Sequence, residues 1–214
     1  MAVEQRKRRP VERRNRDQEI LDSAVKIFSG KGYAAASLQD VADMVGLLKG
    51  SLYHYIPSKE NLLFRIFQQA HDEATALMRE VDELGLPPQK RLGTYVERLT
   101  VWYLANRDRA GLYFTEWRYL TGDYADTVRQ QRRKFELYVR TIVTEAKEAG
   151  YTRGSLDPKL ASLYILSAVN SVPIWYRPTG SSTPESIAGQ VAELACATVF
   201  GNPEPRRAPG RAKA

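Results

Sequence analysis

Residues 37–62 read SLQDVADMVGLLKGSLYHYIPSKENL, and this stretch decides the fold. Ser37 followed three residues later by Asp40 has the form of a capping box, opening a helix whose apolar face is Leu38, Val41, Ala42 and Val45. Gly46 stops that helix. A third helix is predicted over 49–55, and Pro57-Ser58-Lys59-Glu60 opens a fourth with Ser58 as its N-cap. Two short helices joined by a glycine-containing turn form a helix-turn-helix, and the DNA major groove is wide enough to admit the second of them.

Working outward, Ile20, Leu21, Ala24, Val25 and Phe28 share one face of a helix predicted over 17–29, with Gly30 and Gly32 ending it. From there to Leu63 the chain resembles the TetR family of bacterial regulators. The resemblance is carried by Val41-Ala42, Gly46, the run Lys49-Gly50-Ser51-Leu52-Tyr53, and the segment from Tyr55 to Glu60. Ile56 stands where the family usually has Phe, and it keeps the position apolar. The resemblance implies an all-α protein of about nine helices. Its parts would be a basic flexible arm (1–16), a helix-turn-helix DNA-binding domain (17–60), a helical effector-binding and dimerisation domain (61–202), and a disordered basic tail (203–214). The implied function is a DNA-binding transcriptional repressor, released from double-stranded operator DNA by a small-molecule effector. A ligand-independent dimeric regulator, or an activator, is the other reading.

Roles follow for the polar residues of this segment. Lys49, Gly50, Ser51 and His54, at the start and outer face of the third helix, are the base-reading candidates. Tyr53 through its hydroxyl, and Lys59 from the positive end of the fourth helix, are candidate phosphate clamps. Ser37 is expected to donate to a phosphate as well as cap. Leu52, Val41, Val45 and Phe28 build the core that fixes the two helices. Residues 1–16 hold seven basic side chains, Arg13 and Arg14 among them, against Glu4 and Glu12, within a chain of net charge +7. Beside a DNA reader such an arm is expected to follow the phosphate backbone or enter the minor groove.

Further along, apolar spacing and turn residues predict helices over 59–83, 89–105, 109–120 and 125–149, with Gly150 capping the last. Asp157-Pro158 and Thr183-Pro184 open an eighth and a ninth. Between Leu160 and Tyr176 no residue is charged, so the eighth helix must be covered on more than one side, with Pro173 kinking or ending it. It and the ninth, where Ala188, Gly189, Ala192 and Ala195 permit close approach, form the expected homodimer interface; the alternative puts both in the monomer core. The aromatic supply of 64–202 suits an apolar effector pocket, for which Trp102, Trp117, Tyr138 and Phe114 are the candidate lining and Asn170 the orienting amide. The run from Trp175 to Gly180 resembles the corresponding junction of TetR regulators of steroid-ring or fatty acyl-CoA breakdown, as does Glu148-Ala-Gly-Tyr151. Between Leu160 and Tyr176 the eighth helix nonetheless has no basic residue for a CoA phosphate, so an acyl-CoA, a steroid and an uncharged aromatic all stay open.

Other function classes find little support. The histidines are His54 and His71, Cys196 stands alone, and neither HExxH nor GxSxG occurs, so catalytic residues, metal ligands and a cofactor are not expected. Gly46-Leu-Leu-Lys-Gly-Ser has Lys before Gly, unlike a phosphate loop. A basic N-terminus without an apolar segment, one cysteine, and no span for a bilayer fit a cytoplasmic, nucleoid-associated protein without membrane contact.

Overall fold

Pro10 is tolerated at the first turn of a helix, where its missing N–H has no partner to lose, and no breaker follows it before Gly30. In the computed structural model, which describes residues 10–152 and 154–200 with side chains from Asn15 onward, α1 therefore spans Pro10–Lys31. It is followed by α2 (Leu38–Met44), α3 (Lys49–Leu52), α4 (Lys59–Glu83), α5 (Pro88–Ala105) and α6 (Arg107–Thr115). A 3-10 turn at Trp117–Tyr119 leads into α7 (Gly122–Glu148), α8 (Pro158–Trp175) and α9 (Pro184–Phe200). No strand occurs among the described residues.

The expectation of a flexible arm over 1–16 is corrected for its last part, since residues 10–16 are helical. The side chains of Arg13 and Arg14, residues 1–9 and the tail 203–214 lie outside the described residues. Helix α1 also runs through Gly30, and only Gly32 takes the left-handed conformation that ends it. The sixth predicted helix stops at Thr115 and hands over to the 3-10 turn. Asp157 caps α8 by accepting from the Lys159 and Leu160 N–H groups, and α8 ends at Trp175, two residues past Pro173.

The chain packs as two compact units, whose division falls inside α4 and inside α7. The first comprises residues up to Thr75 with Asn106–Arg132, so α6 and the start of α7 join the head, which the contiguous cut at residue 60 leaves out. Their apolar side chains explain why: Leu112, Tyr113, Leu120, Ala125 and Val128 belong to the same buried cluster as Ile20, Phe28, Leu52 and Phe67. Tyr124 stacks on Phe64 with ring centroids 4.3 Å apart, and its hydroxyl accepts from Asn61 Nδ2 at 2.8 Å.

The second unit comprises Ala76–Ala105 and the chain from Arg133 onward. Here α9 lies close along α5. A Cβ on Gly93 of α5 would stand 3.2 Å from the Cys196 sulfur of α9, which a glycine avoids. Ala188, Ala192, Ala195 and Val199, one stripe of α9, are buried. Ala188, Ala192 and Ala195 are thus packed inside the protomer, and Gly189 is half-buried.

Candidate nucleic-acid interface

The turn between α2 and α3 is built first by local bonds. Ser37 Oγ accepts from the Asp40 N–H at 3.2 Å, while Asp40 Oδ2 accepts from the Ser37 N–H at 2.8 Å, completing the capping box. Ser37 Oγ also donates to Asp40 Oδ2 at 2.7 Å, which occupies its one hydroxyl proton. Ser37 thus caps α2 while its side chain stays exposed, where the hydroxyl can also turn to an outside acceptor. Lys31 donates to Asp40 as well. Its hydrogen bond and those from Ser37 hold the Asp40 carboxyl down at about 2.

Gly46 adopts φ 65°, a conformation that costs side-chain-bearing residues, and so reverses the chain after α2. The segment that follows is anchored from inside. Leu52 is fully buried, the Ile56 N–H bonds back to Leu52 O at 2.9 Å, and Arg65 Nη1 of α4 donates to Tyr55 O at 3.2 Å. Arg16 of α1 donates to Val45 O at 3.3 Å. A four-residue α-helix, extended by turn bonds to Tyr55, is thereby held rigid.

Its outward side carries Lys49, Gly50, Tyr53 and His54, all exposed, with Ser51 half-buried. These five predicted residues come together on one short segment. Lys59 lies elsewhere in the head: its ammonium donates to Ala34 O at 3.2 Å and sits 4.3 Å over the Tyr33 ring. Burial lowers the Lys59 pKa, against the pull of Asp40, and burial together with Glu60 and Glu116 pushes Tyr33 up to about 12. Lys59 thus braces the loop ahead of α2, and two of its three N–H donors remain for an outside acceptor. Leu48, which sequence reasoning missed, forms the N-cap of α3 without a side-chain capping bond. The signal was present as a leucine where a capping residue belongs.

The five effector candidates do not gather within one unit. In the second, Tyr103 donates to Asn170 Oδ1 at 3.1 Å, and the Trp102 ring meets Tyr103 edge-on at 5.7 Å. Tyr138 donates to Asp82 Oδ1 at 2.8 Å and packs edge-on at 4.8 Å against Tyr95. Burial, then the Asp82 carboxylate, raises the Tyr138 pKa, and burial raises that of Tyr95, whose hydroxyl is enclosed without a hydrogen-bond partner. In the first unit Phe114 lies edge-on to Tyr113 at 5.4 Å, and Trp117 carries the Arg132 guanidinium 5.0 Å above its ring. A groove between α8 and α9, lined among others by Tyr164, Ala168, Trp175, Val191 and Leu194, includes none of the five.

Comparison with known proteins agrees with this architecture. Residues 20–66 match the family described as bacterial regulatory proteins, tetR family, and residues 85–199 match the tetracyclin repressor-like C-terminal domain. The HTH-type transcriptional repressor KstR2 of Rhodococcus jostii (strain RHA1) is 28% identical over 183 residues, covering 84% of this chain and 88% of that one. KstR2 of Mycobacterium tuberculosis, a ketosteroid transcriptional regulator, has a solved structure that superposes with a TM-score of 0.80 at 24% identity, covering 86% of this chain and 95% of that one. AibR in complex with isovaleryl coenzyme A and operator DNA superposes with a TM-score of 0.76 at 25% identity, covering 87% and 98%.

Proposed function

The chain belongs to the TetR family of bacterial regulatory proteins, and from that premise we propose that it is a homodimeric repressor whose operator DNA is released by a small-molecule effector. The observation that carries the DNA reading is the rigid segment from Lys49 to His54, buried through Leu52 and open on its outer side. Lys49, Gly50, Ser51 and His54 read base edges, while Tyr53, with the remaining donors of Lys59, contacts phosphate. Arg13 and Arg14 add charge that follows the backbone.

Dimerisation supplies the second head. Leu160, Tyr164 and Trp175 recur on α8 at helical spacing and are 65%, 65% and 50% exposed, while Leu194 of α9 is 69% exposed. Fully burying one such side chain contributes about 1.5–3 kcal/mol, so a stripe of this size favours a self-complementary partner. Half-sites would then lie about 34–36 Å apart.

For the effector, Trp102, Tyr138 and Asn170 are the assigned residues of the second unit, and Phe114 and Trp117 those of the first. KstR2 of Mycobacterium tuberculosis is named a ketosteroid transcriptional regulator and AibR was solved with isovaleryl coenzyme A; a ring ketone and an acyl-CoA are therefore the two effector chemistries to separate. Any effector must bind the DNA-incompetent state more tightly. The test is fluorescence anisotropy on a selected operator. Tight binding with a steep salt dependence, reversed by a neutral 3-ketosteroid or by isovaleryl coenzyme A, is the expected result. Operator occupancy that neither ligand changes would favour the ligand-independent regulator.

A further inference from the structure

Two positions at the tip of the head are poor choices for the protein alone. Leu48 is 80% exposed, more than any other large apolar side chain among the described residues. It occupies the N-cap of α3, where Ser, Thr, Asp or Asn would satisfy a backbone N–H and face water at no cost. Two residues on, Gly50 sits within α3, outside the left-handed region. A Cβ built on it meets nothing within 4 Å. Neither backbone conformation nor packing asks for glycine there, and alanine would favour the helix.

Both choices make sense if a partner packs on the tip from outside, close to the backbone at Gly50 and apolar where it meets Leu48. Exposed Lys49 between them, with Tyr53 and His54 on the same segment, gives that partner its sign: it is polyanionic. Among the base edges of the DNA major groove, the apolar group is the C5 methyl of thymine.

We propose that Leu48 is a specificity-determining residue of the head, packing on the 5-methyl group of one thymine in each operator half-site, with the bare Gly50 backbone allowing that depth of approach. The inference rests on the DNA-binding reading above and adds a base identity to it.

Operators are selected from random duplex with the full-length protein, and each thymine of the half-site is then replaced singly by deoxyuridine. That exchange removes the methyl group and leaves the hydrogen-bonding edges in place. At one position the wild-type protein is expected to lose about four-fold in affinity per half-site, the worth of one buried methyl-sized group. Leu48→Ser should bind the thymine and deoxyuridine duplexes equally and, in a fresh selection, lose the thymine preference at that position alone. Because Leu48 is exposed and serine is the better N-cap, its thermal unfolding should come no lower than the wild type's. The proposal is overturned if no deoxyuridine exchange weakens binding, if the loss persists undiminished in Leu48→Ser, or if Leu48→Ser weakens all sequences alike. Failure to select any duplex at low ionic strength would overturn the DNA-binding reading itself, and the proposal with it.

Discussion

The tip of the head and the outer face of α8 and α9 both hold side chains away from their own core, with opposite chemistry. Around Lys49 one exposed leucine stands among a lysine, a tyrosine and a histidine on a segment of seven residues. Along α8 the exposed large apolar side chains are Leu160, Leu163, Tyr164, Ile174 and Trp175, and no charge interrupts the helix between Leu160 and Tyr176. A small polar tip suits a hydrated, charged surface whose register is set by a few directional contacts. A broad apolar stripe suits a protein partner that excludes water, where affinity follows buried area more than direction. On the proposed reading, one fold separates recognition of sequence from doubling of that recognition.

The comparison breaks most visibly if the stripe is charged. A Tyr164→Glu, Leu194→Glu double variant should sediment as a folded monomer, and its operator affinity should fall on the order of 100-fold or more as the two heads cease to bind together. A dimer that survives both charges would move the interface elsewhere. Next in size is the anchor of the tip. Leu52→Ala leaves a cavity beneath α3 and should cost about 2–5 kcal/mol in denaturant unfolding, with operator binding lost alongside. Retained dimerisation in the same variant would show that the two surfaces are independently built.

Lys59→Ala sharpens the contrast within the head. Loss of the Ala34 and Tyr33 contacts should lower stability by about 1 kcal/mol. Loss of a phosphate contact should weaken all DNA sequences alike and reduce the salt slope by about 1. Destabilisation with an unchanged salt slope would leave Lys59 a brace alone. The smallest effect concerns acid. Asp40 titrates at about 2 in the fold against an ordinary 3.8, so its contribution is present above the ordinary value and is lost as pH falls toward 2. An Asp40→Asn variant should be less stable than wild type at neutral pH, the gap closing across that window in pH-dependent unfolding; a constant gap would remove the linkage.

Helices α2, α4, α5, α8 and α9 were legible because their signals are local: Ser37 and Asp40 cap α2, Asp157 caps α8, and apolar residues recur at helical spacing. The exposed segment around Lys49 was legible for the same reason, since Leu52 is buried and Lys49 exposed on one turn. The effector candidates carry no comparable local signal. An aromatic at helical spacing looks the same in sequence whether it lines a pocket or packs a core, and Phe114, Trp117, Trp102 and Tyr138 proved to be divided between two units.

From the chain alone came the order of helices, the turn of a helix-turn-helix, and the uncharged stretch of the eighth helix that needs cover on more than one side. Tertiary structure decided that the Lys59 ammonium reaches back to Ala34 and that Ala188, Ala192 and Ala195 of α9 are buried within the protomer. It also decided that α6 and the start of α7 complete the head. Caps and periods are set by neighbours within a turn or two of chain, whereas a donor's partner and a helix's buried side depend on segments that meet only after the chain has packed.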